Sequence, residues 1–109
     1  MREGVAFFVT RSDGAPAGCG GMKLYGTAYG EVKRMYARPA FSGMGLDQLL
    51  LDRLSEYARE RQVAVLRLET GIYQTAAIGH YEFYGFQRCG PFGEYRDDPL
   101  SVYFEKRIA

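Results

Sequence analysis

The order of helical and extended segments predicts an α/β (α+β) fold with a mixed, mostly antiparallel sheet. Three stretches rich in β-branched and aromatic residues fill the first third of the chain with only short turns between them. A leucine-rich helical pattern, a strand, a shorter helix and two final strands follow. The predicted order is βββ-α-β-α-β-β. The 109 residues are enough for one domain, 1–109, with a modest core.

The first three strands precede a proline. "GVAFFVTR" predicts the first strand, and Asp13-Gly14 after it is a turn signal. "CGGMKLYG" predicts a second strand that its glycines weaken, and "AYGEVKRMYAR" a third that Pro39 ends. Because the connections are short, we expect an antiparallel meander.

The segment after residue 45 has helical periodicity. Charged side chains at Asp52, Arg53, Glu56, Arg59 and Glu60 take one face, which predicts an amphipathic helix to about Gln62. The predicted apolar stripe consists of Leu46, Leu49, Leu50, Leu54, Tyr57 and Ala58.

The remaining segments predict a strand, a short helix and two more strands. "VAVLRLET" is strongly β-forming, and "QTAAIGHYEFY" predicts a helix that Gly85 follows at the C′ position. "FQRCG" and "LSVYFEKRI" predict the last two strands, joined by the irregular "PFGEYRDDP".

Composition argues against several classes of partner. Lys plus Arg is 14 and Asp plus Glu is 13, so net charge gives no reason to expect nucleic acid or an anionic membrane. Cys19 and Cys89 have neither disulfide-framework nor metal-ligand spacing, and we expect no metal site. The first apolar run has five residues, too few for a secretory signal, and no segment approaches a membrane span. These features predict a cytoplasmic protein.

The glycine-rich "SGMG", residues 42–45, lies between the third strand and the first helix. The first N–H groups of a helix lack internal partners and carry the positive end of the helix dipole, so a pyrophosphate can bind there. Glycines let the anion approach the backbone. The alternative is a tight turn with Ser42 as N-cap. A nucleotide-binding P-loop is disfavoured, because no G-K-[ST] follows.

Together, these motifs resemble the GNAT superfamily of acyl-CoA-dependent N-acyltransferases. The loop takes the register of that family's Q/R-x-x-G-x-G/A signature, and "EVKRMYARP" before it looks like the family's fourth strand. The resemblance covers about residues 5–108 and implies transfer of an acetyl group from acetyl-CoA to a small-molecule or protein amine. A second segment resembles N-x-x-A-x-x-x-Y-x-x-x-G-F, with Gln74, Ala77, Tyr81, Gly85 and Phe86 in register.

The resemblance also implies where acetyl-CoA binds. The pantetheine arm is expected on the main chain of Met35, Tyr36 and Ala37, between two strands that splay apart, and Gln74 and Ala77 are expected to contact the cofactor. The pyrophosphate is expected on the main chain of Ser42, Gly43, Met44, Gly45, Leu46 and Asp47. Ser42 and Asp47 depart from the family pattern. Asp47 would repel the pyrophosphate and weaken binding, unless Lys33, Arg34 or Arg38 offsets it.

Two side chains are candidates for catalysis. Tyr81 stands where the family often places the general acid that protonates the leaving thiolate. The alternative for Tyr81 is a packing role on a short helix. Glu31 stands where some members place the base, and Glu69 is the reserve candidate. The alternative for Glu31 is a solvated strand-end carboxylate paired with Lys33. His80, the one histidine, is expected to be structural or exposed.

The resemblance further implies that this chain begins at about the second strand of the family's fold. Family members normally begin with another strand and two helices, which cover one side of the sheet. Val5, Phe7 and Val9 alternate with Ala6 and Phe8, so both faces of the first strand are apolar. We therefore expect a homodimer. The competing hypothesis for the whole chain is a non-catalytic module that binds CoA weakly or not at all.

Overall fold

The computed structural model describes residues 5–12, 15–37 and 46–109, which form a six-stranded sheet and two helices. The strand order across the sheet is β1-β2-β3-β4-β6-β5. This mixed architecture and the order βββ-α-β-α-β-β are as predicted. The elements are β1 (Val5–Ser12), β2 (Ala15–Tyr25), β3 (Tyr29–Ala37), α1 (Leu46–Glu60), β4 (Val65–Gly71), α2 (Thr75–Phe83), β5 (Gln87–Cys89) and β6 (Ser101–Arg107).

Antiparallel pairing dominates the sheet. The pairs β1–β2, β2–β3, β4–β6 and β5–β6 are antiparallel, which confirms the predicted meander at the start. The pair β3–β4 is parallel, because α1 crosses over between them. The turn at Asp13-Gly14 lies outside the described residues, but Ser12 pairs with Ala15 on either side of it.

Helix α1 packs its leucines against β1, β2 and β3. Leu50, Leu54 and Ala58 are fully buried, as the periodicity predicts. The prediction was wrong for Leu49, which is 56% exposed, whereas Leu51 is buried. Each residue advances about 100° around a helix. The buried arc is centred between Leu50 and Leu51, so Leu49 points away from the sheet.

The two sides of the sheet differ in what covers them. On the side we call the helix face, Met22, Val32, Leu66, Leu68 and Phe104 are buried under α1 and α2. On the opposite side, which we call the loop face, the segment 90–100 contributes Phe92 to a second, smaller cluster with Tyr29 and Tyr103 of the sheet. Alternation along each strand sends neighbouring residues to opposite faces.

Helix α2 ends in a Schellman motif. Gly85 has φ +96°, a value that glycine adopts without strain, and it stands at the predicted C′ position. The Phe86 amide donates to the Tyr81 carbonyl at 3.0 Å, and the Gly85 amide donates to the Glu82 carbonyl at 3.1 Å. This ending turns the chain into β5 and fixes where the side chain of Tyr81 packs.

Edge strand β1 has one packed side and one exposed side. Phe8 lies against the Tyr57 ring of α1, with ring centroids 5.4 Å apart. Phe7 and Val9 point the other way and are 58% and 53% exposed. No helix within the described ranges is long and apolar enough to cross a membrane.

Candidate active site

Strands β3 and β4 separate soon after they begin to pair. Their parallel ladder has two residue pairs, Gly30 with Leu66 and Glu31 with Arg67. Beyond these pairs β3 continues to Ala37 and β4 to Gly71 without further pairing to each other in the described residues. The backbone groups that border this β3–β4 gap are therefore left for another partner.

A bulge lies in β3 beside the gap. Cys19 pairs with Tyr36 and Gly21 with Lys33, so two residues of β3 oppose one residue of β2. A bulge bends and twists its strand, and this one lies just beyond the last residue of β3 that pairs with β4. Of the segment predicted to bind pantetheine, Met35 lies in the bulge itself, whereas Tyr36 and Ala37 follow it and pair with Cys19 and Gly18 of β2.

The predicted pyrophosphate loop is described only at its end. Ser42, Gly43, Met44 and Gly45 lie outside the described residues. Leu46 and Asp47 are the first two residues of α1. Asp47 thus belongs to the first turn of the helix, where the helix dipole favours negative charge. Of the basic residues expected nearby, Arg38 lies outside the described residues, and Lys33 forms an ion pair with Glu31.

Three residues separate the end of β4 from the start of helix α2, which lies next to the wide end of the gap. Gln74 is its N-cap residue and is exposed, and its side chain makes no capping hydrogen bond. Ala77 is half-buried in the first turn. Tyr81 is also half-buried and packs on the helix face, with its ring 5.6 Å from Phe86 and 6.2 Å from Phe104. Since Phe104 pairs with Leu68, Tyr81 lies near the level at which β3 and β4 separate.

Glu31 is a buried carboxylate on the loop face. It is 3% exposed, so the alternative to the base role, a solvated strand-end carboxylate, is wrong about its exposure. The expected partner is present, because the Lys33 ammonium lies 3.8 Å from Glu31 Oε2. Lys33 itself is 44% exposed. The pair therefore joins a carboxylate removed from water to an ammonium that remains in contact with it.

Two phenols from separate parts of the chain donate hydrogen bonds to Glu31. The Tyr25 hydroxyl donates to Oε1 at 3.3 Å, and the Tyr95 hydroxyl donates to Oε2 at 2.5 Å. Tyr25 ends β2, and Tyr95 belongs to the loop between β5 and β6. We call Tyr25, Tyr29, Glu31 and Tyr95 the tyrosine–glutamate cluster.

Burial and the carboxylate both act on these phenols. Burial, followed by the hydrogen bond to Glu31 and its charge, raises the pKa of Tyr95 far above its usual range. Burial and the charge of Glu31 also raise the pKa of Tyr25. The phenols stay protonated because ionisation would place a second negative charge beside a carboxylate. The phenols are thus the donors in both hydrogen bonds, and the Glu31 oxygens accept them.

The loop 90–100 is held against the cluster by aromatic contacts and a glycine. Tyr29 stacks on Tyr25 at 4.8 Å and meets Phe92 edge-on at 5.5 Å. Gly93 has φ +59°, and a Cβ on it would lie 2.7 Å from the Tyr29 hydroxyl. The Tyr103 hydroxyl donates to the Arg96 carbonyl at 2.8 Å and holds the far end of the loop.

A cavity of about 260 Å³ opens between this loop and the sheet. The tyrosine–glutamate cluster forms its wall and floor, and Lys23, Lys33, Gly93 and Glu94 complete it. It lies on the loop face beside the last β3–β4 pair. Glu31 therefore borders both the cavity and the start of the β3–β4 gap.

Glu69, the reserve candidate for the base, lies farther along β4 on the loop face. Its Oε2 accepts a hydrogen bond from the Ser101 hydroxyl at 2.7 Å. Its charge contributes to the raised pKa of Tyr95, so it faces the same region. Glu31 is the more enclosed of the two carboxylates, and it has the closer contact with the loop. His80 is exposed, in keeping with the expectation that it is structural or exposed.

The phenols that surround Glu31 were not predicted from the sequence. Tyr25 and Tyr95 stand 6 and 64 residues from Glu31 along the chain, and no local pattern joins the second pair. One signal was available. Antiparallel pairing across a short turn sets Tyr25 opposite Tyr29 and Lys23 opposite Glu31, so these four share one face. The role of the loop aromatics depends on tertiary packing alone.

Solved structures with this architecture define the class. A crystal structure from Klebsiella pneumoniae subsp. pneumoniae, assigned as an acyl-CoA N-acyltransferase, superposes with a TM-score of 0.94 at 42% identity and covers 98% of this chain and 74% of that chain. The PaiA N-acetyltransferase of Thermoplasma acidophilum, solved in complex with coenzyme A, shares the fold with a TM-score of 0.83 at 17% identity, over 94% of this chain and 60% of its own. The fold is that of the acyl-CoA N-acyltransferases.

Sequence comparison gives the family. The family model of the Acetyltransferase (GNAT) family matches residues 1–86. The IAA acetyltransferase of Azospirillum brasilense is 42% identical over 105 residues, which are 95% of this chain and 69% of the relative. The uncharacterized N-acetyltransferase YsnE of Bacillus subtilis is 37% identical over 94 residues, 84% of this chain and 62% of the relative. The chain thus spans about two thirds of the length of these relatives. It belongs to the GNAT acetyltransferase family, and its enzyme class is acyl-CoA N-acyltransferase.

Proposed function

We propose that this protein transfers the acetyl group of acetyl-CoA to a primary amine by direct attack within a ternary complex. One observation carries the proposal: Glu31 and Tyr81 lie on opposite faces of the sheet, at the level where β3 and β4 separate. A thioester held in the β3–β4 gap would therefore have a carboxylate on one side and a phenol-bearing helix on the other. That is the arrangement that acyl transfer to an amine needs.

The chain's own groups fit acetyl-CoA. The unpaired edges of β3 and β4 offer the donors and acceptors that an extended amide-containing arm can bind, which supports the assignment of Met35, Tyr36 and Ala37. The start of α1, with Leu46 and Asp47 preceded by Ser42–Gly45, offers helix N-terminal amides to a pyrophosphate. The exposed Gln74 amide and Ala77 stand at the wide end of the gap.

Two proton transfers complete the reaction. Acetyl-CoA supplies an acyl carbon that an amine nitrogen can attack and a thiolate that leaves. Glu31 takes the proton that the amine loses, since it faces the cavity and its lone pairs exceed the two phenolic hydrogen bonds it accepts. Tyr81 gives a proton to the leaving thiolate. Tyr25 and Tyr95 hold the carboxylate in position.

The proposal includes the cellular compartment and the oligomeric state of the enzyme. Cys19 and Cys89 are both free thiols, which favours a reducing cytoplasm. Phe7 and Val9 expose apolar surface on an edge strand, which supports a homodimer through β1. Light scattering at micromolar concentration tests the assembly, and a stable monomer contradicts it.

The test of the proposed reaction is the rate of CoA thiol release from acetyl-CoA in the presence of an amine panel. Tyr81→Phe should lower turnover by about 10² or more and leave acetyl-CoA affinity unchanged, because the hydroxyl acts only on the leaving group. Tyr73→Phe is the matched control, since Tyr73 is 80% exposed just before α2. Full turnover in Tyr81→Phe contradicts the acid role. Absence of acetyl-CoA binding to the parent protein would favour the competing hypothesis of a non-catalytic module.

A further inference from the structure

The charges that line the 260 Å³ cavity are more numerous than the proposed chemistry requires. One buried carboxylate, Glu31, has two lysines beside it. Lys33 follows it by two residues on the same face of β3, and Lys23 lies directly opposite it on β2. Directly opposed residues have their Cβ atoms about 4.5–5.5 Å apart, so both ammonium groups are within reach of one carboxylate.

Only one of the two lysines pairs with Glu31. The Lys33 ammonium lies 3.8 Å from the carboxylate, whereas the Lys23 ammonium lies over the Tyr25 ring, 5.0 Å from its centroid. Both oxygens of Glu31 already accept a phenolic hydrogen bond. An ammonium that came in to Glu31 would share or displace the contact with Lys33. Two lysines would then surround the site without a carboxylate of their own.

A carboxylate on the incoming amine would offset the positive charges of Lys23 and Lys33. Glu94 also borders the cavity, but it is exposed, so water and salt screen its charge more than that of Glu31. An acceptor with a second ammonium would instead face Lys23 and Lys33, and like charges repel. A neutral tail would bring no carboxylate to either lysine.

Building on the proposed function, we propose that the acceptor is a small amine that carries its own carboxylate, that is, an amino-acid-like zwitterion. Its ammonium binds at Glu31 against the phenols of Tyr25 and Tyr95. Its carboxylate binds between Lys23 and Lys33. The cavity is smaller than the roughly 300–1,000 Å³ of pockets that enclose drug-sized ligands, which favours a small acceptor. The tyrosine rings offer a wall for its remaining, uncharged part.

The test uses matched pairs of acceptors that differ only in the carboxylate: alanine with ethylamine, leucine with isopentylamine, and phenylalanine with phenethylamine. Putrescine and spermidine represent amines with further positive charge. Thiol release at saturating acetyl-CoA gives kcat/KM for each acceptor. We expect the acid of at least one pair to exceed its amine by about tenfold or more, the size of one favourable charged hydrogen bond.

Lysine variants connect this preference to the cavity. Lys23→Met and Lys33→Met should each lower the acid-to-amine ratio of kcat/KM about tenfold. Lys106→Met is the matched control, because Lys106 binds the Tyr84 carbonyl at 2.7 Å and does not line this cavity, and it should leave the ratio unchanged. The ratio, unlike the rate, does not change when a variant only loses folded protein.

Three other results would overturn the proposal of a zwitterionic acceptor. Equal rates for acids and amines, faster reaction of putrescine or spermidine, or no reaction with any acceptor of the panel would all contradict a zwitterionic acceptor. Calorimetry with acetyl-CoA separates this failure from failure of the proposed function. Acetyl-CoA binding together with acetylation of a carboxylate-free amine would leave the acetyltransferase proposal intact. If acetyl-CoA does not bind, both proposals fail.

Discussion

Replacement of Tyr95 by phenylalanine tests whether the phenols position Glu31. The change removes the hydroxyl that donates to Glu31 Oε2 at 2.5 Å and keeps the ring that packs on Phe92 and Tyr103. A hydrogen bond to a charged group contributes about 1.5–3 kcal/mol to stability. Tyr95 is half-buried, so we expect a loss near the lower end, about 1.5 kcal/mol, in urea-induced unfolding. Because Glu31 keeps Tyr25 but loses its shorter contact, kcat should fall about tenfold with little change in acetyl-CoA affinity.

Tyr103→Phe is the matched control for this prediction. Tyr103 belongs to the same aromatic cluster, but its hydroxyl donates to the Arg96 carbonyl rather than to Glu31. Its loss should cost about 0.5–1.5 kcal/mol of stability and leave kcat unchanged. Equal loss of kcat in the two variants would mean that Tyr95 acts only through loop stability. An unchanged kcat in Tyr95→Phe would refute the positioning role.

Three further predictions concern the helix dipole, the phenol and the loop glycine. Asp47→Ala should tighten CoA binding by about 0.3–1 kcal/mol in calorimetry, because a like charge leaves the pyrophosphate site; weaker binding would mean that the carboxylate orders the loop. The raised pKa of Tyr95 means that the folded state holds this proton more tightly, so its contribution to stability is complete below about pH 10 and is lost at higher pH. Glu31→Gln should bring that pKa down without restoring it fully, since burial remains, and an unchanged phenolate absorbance titration would contradict this assignment. Gly93→Ala should cost about 1–3 kcal/mol in urea unfolding through its positive φ and its close approach to a phenol hydroxyl, whereas Gly90→Ala, with open space around it, should cost less; equal losses would disprove the steric argument.

Local patterns predicted the elements of the fold, and tertiary packing decided what they could not. Helix α1 ends at Glu60, close to the predicted end, because its periodicity is strong. Leu49 was placed on the wrong side, since spacing alone does not say where the centre of a wide apolar arc lies. Strand β2 begins at Ala15 rather than Cys19, because pairing with β1 extends the strand through residues of weak β-propensity.

The candidate site divides in the same way. Glu31 and Tyr81 were predicted as candidates because their positions match those of functional residues in the GNAT pattern, and their catalytic roles stay predictions. The burial of Glu31 was not predicted, since it results from a loop that returns 64 residues later to place Tyr95 on it. No local sequence pattern predicts a contact between residues so far apart along the chain. The proximity of Lys23 and Lys33 to Glu31 can be inferred only after the register of β2 and β3 is known.

Amide hydrogen exchange with and without CoA shows whether the cofactor lies between β3 and β4. Backbone amides of residues 32–37 and 68–70 that point into the gap have no strand partner there and should exchange quickly in the free protein. We expect CoA to slow exchange in both segments, because its extended arm supplies the missing acceptors. Pairs of β1 and β2 are the internal reference and should not change. Unchanged exchange in residues 32–37 and 68–70 at a CoA concentration that saturates binding in calorimetry would mean that CoA does not bind between these strands.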